Sequence, residues 1–306
     1  MSSRETSPTG TQWSVSSGPD EFTVVEVGGG LRAWNRAGVD VLAGYSADSP
    51  CTSGRGQQLI PWPNRIRDGR YAFDGAERQL PLTEVEHHNA SHGLVRWAPW
   101  RLVDRTDTSI TVGHRLFPQP GWDWHLETTT MYAVTPEGLT VTTRVANVGE
   151  KPAPFGYGAH PYVAIGDAPV EEVEVQIPAE CFVEVDDRLL PTRTTSVEGS
   201  VFDFRERKAI GAQRLDTAYT DLSVVDGRWT ITVATPGRAQ VEVWGEAAAF
   251  PWAQVFSGKA EADQSGEHGI AVEPMTCPAD AFNSGDSLVV LEPGQTWQGV
   301  WGISPR

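Results

Sequence analysis

Cysteine is scarce: three residues, Cys51, Cys181 and Cys277, lie at irregular spacing in a chain of 306. That odd count supports neither a disulfide framework nor a zinc ribbon. Positive charge is also short, with 24 Lys and Arg against 40 Asp and Glu and a formal net charge of −16. Without a basic stripe to meet phosphates, a nucleic-acid partner is not expected. Long apolar runs are missing. Stretches such as Ala247 to Phe250 fall far short of the roughly 20 residues that a membrane-spanning helix needs, so no membrane partner is expected. Residues 1–20 are polar and lack the apolar segment of a secretory signal. They read as a mobile tail on a cytoplasmic protein. Gly28-Gly29-Gly30 lacks the Lys-Ser/Thr and helix of a phosphate-binding loop and reads as a hairpin turn.

What is present is strand signal. Ile110, Val112, His114 and Leu116 share one face of a run, as do Leu139, Val141, Thr143 and Val145. Val173, Val175 and Ile177 repeat the period of two, followed by Trp229, Ile231 and Val233, then Val241 and Val243. Such alternation marks half-buried antiparallel strands. Asp68-Gly69, Asp74-Gly75, Pro136-Glu137-Gly138, Asp226-Gly227 and Pro236-Gly237 supply turns between runs. Helical periodicity is almost absent; Phe202 to Gln213 is the one stretch that reads as a helical turn or two. The expectation is an all-β fold, a large sandwich or barrel with few short helices. With no repeat and no internal linker, residues 21–306 read as one domain.

Two ionisable residues stand out through their neighbours. His160 sits in Gly158-Ala159-His160-Pro161-Tyr162 and Glu273 in Val272-Glu273-Pro274. A strand that ends at proline would leave each side chain at a sheet margin. Burial raises a carboxyl pKa and lowers that of histidine, which is expected to bring the two toward neutrality for proton exchange. His87, His88 and His92 cluster in one segment, with His88 and His92 at helical spacing. Turn residues between them, and the lack of a matching ligand pattern, argue against a metal site. Asn89-Ala90-Ser91 matches a glycosylation acceptor, a chance match without a secretory signal. Trp62, Trp97, Trp100, Trp122, Trp124 and Trp252 lie beside His, Arg or turn residues; each is either a sugar-stacking platform or core. Pro61 to Arg70 carries Arg65, Arg67 and Arg70, whose forked donors suit hydroxyl, carboxylate or phosphate oxygens.

Taken in order, Asn64-Arg65-Ile66, Asp68-Gly69-Arg70-Tyr71, Asn89-Ala90-Ser91-His92-Gly93, Ala159-His160-Pro161-Tyr162, Leu215-Asp216-Thr217, and Val272-Glu273-Pro274 with Asp280-Ala281-Phe282-Asn283 resemble the aldose 1-epimerase (galactose mutarotase) family. The prolines after His160 and Glu273 make the chain similar to a divergent, bacterial-type branch. The resemblance implies a large antiparallel β-sandwich of the galactose mutarotase-like type. It also implies interconversion of the α and β anomers of a free aldohexose, with no cofactor and no metal. Glu273 would be the general base at the C1 hydroxyl and His160 the general acid at the ring oxygen, with His92 hydrogen-bonding nearby. Asp216 and Arg65 would bind sugar hydroxyls, and Asn64 would shape the Arg65 turn. The implied partner is a small sugar, the chain being a monomer or homodimer. A hexose-6-phosphate epimerase, using Arg67 and Arg70, and a non-catalytic sugar-binding sandwich are the rival readings.

Overall fold

The computed structural model describes residues 7–258 and 269–306. Helix among them is confined to one turn at Val170–Glu172 and four residues at Ala281–Ser284. Two large antiparallel sheets make the body. The first has nine strands, running in space from Arg101–Arg105 through Ser109–Leu116, Leu126–Thr135, Gly138–Asn147 and Thr296–Pro305, then on to Val241–Glu246 and Arg228–Ala234. Its alternating residues are buried as expected: Ile110, Val112, Val141, Val145, Trp229 and Ile231 are all within 1% of full burial.

The second sheet carries the candidate site, and its strands are labelled here: β1 (Gln58–Leu59), β2 (Gly158–Ala159), β3 (Tyr162–Ala164), β4 (Ala179–Val185), β5 (Pro191–Ser196), β6 (Asp216–Leu222), β7 (Trp252–Phe256) and β8 (Gly269–Met275). The spatial order is β5-β4-β6-β7-β8-β2-β1, with β3 also pairing β8. Side chains alternate between the two faces. Tyr219, Ala253, Val255, Ile270 and Val272 therefore enter the core that both sheets share, while Asp216, Gln254 and Glu273 point the other way.

A buried polar chain joins the sheets. Gln58 donates to the Tyr132 hydroxyl (2.6 Å), which donates to the Gly29 carbonyl (2.6 Å); the Tyr157 hydroxyl donates to the Gln58 carbonyl oxygen (2.7 Å) and accepts from Trp301 (3.2 Å). Each member finds a partner, as buried polar groups must.

Two expectations fail here. Residues 12–20 are not a mobile tail, because Gln12–Ser17 pairs with Asp20–Val25 in a four-stranded N-terminal sheet. Val15 is 2% exposed: one buried apolar side chain and a turn at Gly18 suffice for a strand that polar composition conceals. Residues 1–6 lie outside the described residues. Phe202 to Gln213 forms turns and a two-residue strand, Lys208–Ala209, rather than helix. Asp203 there accepts from both the backbone and the guanidinium of Arg205, a local bond that competes with helix.

Candidate active site

Register brings the two singled-out residues together. Gly158 pairs with Met275 and Tyr162 with Ala271, so the residue facing Glu273 between them is His160. Pro161 then faces Val272, whose N–H donates to the Pro161 carbonyl (3.2 Å), and Pro274 faces Ala159. The His–Glu pair therefore occupies a non-hydrogen-bonded position, where facing side chains approach most closely. Each proline deletes one ladder donor beside it. The expected strand ending holds for His160, which lies in the gap between β2 and β3. It does not hold for Glu273: β8 continues through Pro274, which pairs with Ala253 of β7, so Glu273 lies inside the sheet rather than at its margin.

His160 Nε2 stands 3.4 Å from Glu273 Oε1, and the two residues are 6% and 2% exposed. The imidazole stacks parallel on Tyr162 (5.0 Å between centroids, 1° between planes). A Cβ added to Gly54 would lie 3.0 Å from His160 Cδ2. Glycine lets that turn close on the ring. Burial pushes the Glu273 carboxyl well above the usual range, Asp216 adding to the effect and Arg65 opposing it. Burial, then Arg96, drives His160 down to about 3. The directions are those expected of burial, but histidine starts near neutrality, so its shift leads away from neutrality rather than toward it.

His92 joins His160 at 5.5 Å between ring centroids. Its Nδ1 accepts the Asn64 backbone N–H (3.1 Å), and the His92 backbone N–H donates to the Asn64 backbone carbonyl (2.7 Å). An accepting Nδ1 puts the proton on Nε2. Burial, with Arg96, His160 and Arg65 beside it, keeps the ring neutral by depressing its pKa. Asn64 is thus more than a turn former: its Oδ1 also accepts from Arg65 (3.1 Å). Arg65 grips Glu84 through Nε (2.8 Å) and Nη2 (2.9 Å) and approaches Asp216 at 3.9 Å. Asp216 in turn accepts from Gln254 (2.6 Å), the residue paired with Glu273 on β7.

All six expected residues (Asn64, Arg65, His92, His160, Asp216 and Glu273) line one cleft of about 540 Å³. Four contributors escaped the sequence reading. Gln254 is signalled only as a polar residue within an apolar strand, Arg96 as a lone cation four residues after His92. Glu84 gave no pattern, and Tyr162 was read only as part of the His160 motif.

Other candidates disperse. His88 adopts φ 58 and His92 φ 61, so helical spacing does not apply; His88 pairs with Asp68 at the surface (2.9 Å). Among the described residues no group of three or more His, Cys, Asp or Glu is placed to hold a metal; His268 lies outside them. Asn89 is fully buried and inaccessible to glycosylation. None of the cleft's described residues is tryptophan. Trp62, Trp100, Trp122, Trp124 and Trp252 are core, and Trp97 is 60% exposed elsewhere. Tyr162 and Phe256 form the aromatic walls instead. Arg67 is held by Asp280 (3.3 Å) and Arg70 by Gln79 (2.7 Å), and neither lines the cleft, so the arginines of the phosphate reading are misplaced. A second groove of about 560 Å³, around Arg78, Arg115 and Trp124, contains no facing acid–base pair among the described residues. No helix of the described residues is long and apolar enough to cross a membrane.

Comparison with known proteins gives the family and the fold. The family model described as aldose 1-epimerase matches residues 14–304. The chain is 34% identical over 284 residues to the uncharacterized protein YihR of Escherichia coli (strain K12), covering 92% of this chain and 89% of that one. Galactose mutarotase of Bos taurus is 28% identical over 186 residues, 57% of this chain and 51% of its own. Among solved structures, a GalM/aldose epimerase homologue from C. elegans superposes with TM-score 0.83 at 18% identity, covering 96% of this chain and 99% of its own. The family match spans both sheets and every residue of the cleft: the chain belongs to the aldose 1-epimerase family.

Proposed function

We propose that this protein is an aldose 1-epimerase that interconverts the anomers of an aldohexose by acid–base ring opening. The observation that carries the reading is the facing pair, His160 and Glu273, at 3.4 Å in a cleft whose remaining polar groups suit hydroxyls. Mutarotation moves one proton off the C1 hydroxyl and another onto the ring oxygen while the C1–O5 bond breaks. Glu273 as carboxylate takes the first; His160 as imidazolium gives the second. His92, with its proton on Nε2, donates to the ring oxygen and shares its developing charge. Asp216 and Arg65 hold ring hydroxyls.

The resting proton count fits this cycle. Burial favours the neutral form of each group, raising Glu273 and lowering His160, so when the pair shares one proton the carboxyl is the seat that burial favours. That form serves the open-chain aldehyde: Glu273 protonates the carbonyl oxygen while His160 takes the proton of the attacking C5 hydroxyl. Ring closure leaves carboxylate and imidazolium, the form that opens a ring, and one proton passed across the 3.4 Å between His160 and Glu273 interconverts the two forms. Rotation about C1–C2 between the two steps exchanges the anomers. The family match and the likeness to galactose mutarotases support this reading.

The test is anomer exchange, followed by polarimetry and NMR on freshly dissolved α-D-glucose, α-D-galactose and 6-substituted aldohexoses. Acceleration should fall by roughly 10²- to 10⁴-fold in Glu273→Gln, with sugar binding still detectable by calorimetry. Near-normal turnover in that variant would remove Glu273 as the base.

A further inference from the structure

The hairpin loop between β4 and β5 brings an apolar side chain to a polar cleft. Asp186 organises the loop: its carboxylate accepts from the Arg188 N–H (2.9 Å) and the Leu190 N–H (3.0 Å), and its carbonyl accepts from the Leu189 N–H (2.9 Å). Leu189 adopts φ 59 there. Among the described residues it is the only one with a positive φ whose side chain is aliphatic beyond Cβ; the other non-glycine cases are Ala, Ser, Asn, Asp and His. Leucine is disfavoured in that region, which glycine or asparagine fills at less cost. Such an outlier points to a task for the side chain.

Leu189 lines the cleft and also walls a gap of about 10 Å³ beside it, with Val183, Val185, Pro191 and Ala218. Of the cleft's residues, Asn64, Arg65 and Asp216 border this gap too, whereas His92, His160 and Glu273 do not. Leu189 therefore stands at the hydroxyl-binding end, away from the two histidines. A gap of that size holds at most about one water. Arg188 pins the loop in place. Its guanidinium donates to Asp68 (2.7 Å) and to the His87 and His88 carbonyls (3.0 Å each), and its own carbonyl accepts from Asn89 (3.1 Å). Asn89 also donates to Glu84 (3.2 Å), the residue that grips Arg65, so the apolar wall and the hydroxyl-binding arginine share one support.

The shape of the sugar decides what this wall meets. In a pyranose the atom opposite the ring oxygen is C3. With the ring oxygen at His160 and O1 at Glu273, C3 and its hydroxyl point past Gln254 toward Asp216, to which Gln254 donates (2.6 Å), and so toward Leu189. We infer that Leu189 is a specificity-determining residue that restricts the cleft to aldoses whose C3 hydroxyl is unsubstituted. An alkyl or glycosyl group on O3 would have to occupy the volume of the leucine side chain, and the gap behind that side chain is too small to accept either. This rests on the proposed reaction for its orientation of the sugar. It also accounts for a leucine kept at a backbone angle that suits glycine.

The experiment takes the fastest aldohexose of the anomer-exchange test together with its 3-deoxy and 3-O-methyl forms. It measures kcat/KM for all three in the wild type, Leu189→Gly and Leu189→Asn. The 3-deoxy sugar loses the hydrogen bonds of the hydroxyl without adding bulk, so the ratio of 3-O-methyl to 3-deoxy reads the effect of bulk. In the wild type that ratio should lie roughly tenfold to a hundredfold below one, the deficit being mainly in KM. Leu189→Gly, which suits the φ of the loop, should raise it about tenfold. Leu189→Asn, which suits the same φ and is of similar size, should leave it low. A wild-type ratio near one, a ratio unchanged in Leu189→Gly, or an equal rise in Leu189→Asn overturns the inference, and turnover of the parent sugar then leaves the epimerase reading intact. If the wild type turns over no aldohexose, the reaction itself fails and the inference falls with it.

Discussion

Glu273 pays for its position whenever it ionises, since a carboxylate 2% exposed loses most of its hydration. Its folded pKa is raised, chiefly by burial and further by Asp216. The stability tied to its protonated form is therefore present below the unfolded value of about 4.3 and is lost as pH climbs toward the raised folded value. His160 runs the other way: lowered to about 3, it contributes stability above about 6.5 that disappears as pH falls through that lower value. Glu273→Gln removes the first dependence. Its Tm should match or exceed that of the wild type, by a margin that is small at pH 4.5 and widens toward pH 8. Calorimetric scans across that range check this, and a margin that narrows with rising pH would show the carboxyl to be stabilised as an anion. The variant predicted to lose catalysis is thus also predicted to gain stability.

Between residues, positioning falls to groups that touch no sugar. Glu84 fixes Arg65 by two nitrogens, accepts from Asn89 (3.2 Å) and lies 3.2 Å from His87. Burial works to raise its pKa but is outweighed by Arg65, so it remains an anion. Glu84→Gln should release the guanidinium and raise KM about tenfold, with a smaller change in kcat and an unchanged pH profile. A loss confined to kcat would place Glu84 nearer the chemistry. The regular strands were legible in sequence because one face meets the core and the other does not. His160 and Glu273, the proposed acid and base, drew notice through their prolines, and Arg65, His92 and Asp216 through the family pattern. The register that sets His160 against Glu273 joins strands more than a hundred residues apart, and local pattern carries no trace of such a pairing. Gln254 and Glu84 were hidden for the same reason, since each matters only through a partner supplied by a distant segment. Tryptophan misled as a cleft marker because bulk that can stack on a sugar also fills a sandwich core.

For the whole molecule, the N-terminal sheet is part of the folded body. Asp20 accepts from Trp34 Nε1 (2.8 Å) and from Arg36 (2.9 Å), and Arg36 reaches the Thr135 carbonyl (2.9 Å) at the end of a strand in the nine-stranded sheet. Removing residues 1–19 should lower Tm by several degrees, through lost burial of Val15 and loss of the ladder to Asp20–Val25. A truncated chain with unchanged Tm would return this segment to the status of a tail. The facing pair His160 and Glu273, by contrast, belongs to the other large sheet, so activity per folded molecule should survive the truncation.

Antiparallel strands carry a local twofold axis, and here it passes midway between His160 and Glu273. The axis exchanges His160 with Glu273, the proposed acid and base, and Pro161 with Pro274. Backbone geometry thus offers two equivalent seats, neither one intrinsically the seat of the acid. What breaks the equivalence is the surroundings: Gln254 and Asp216 beyond one seat, and beyond the other Gln57, whose carbonyl accepts the His160 N–H (3.3 Å) and whose side chain accepts from Arg96 (3.0 Å). The direction in which a sugar lies across the pair, and hence which oxygen each group meets, is written in those flanking side chains.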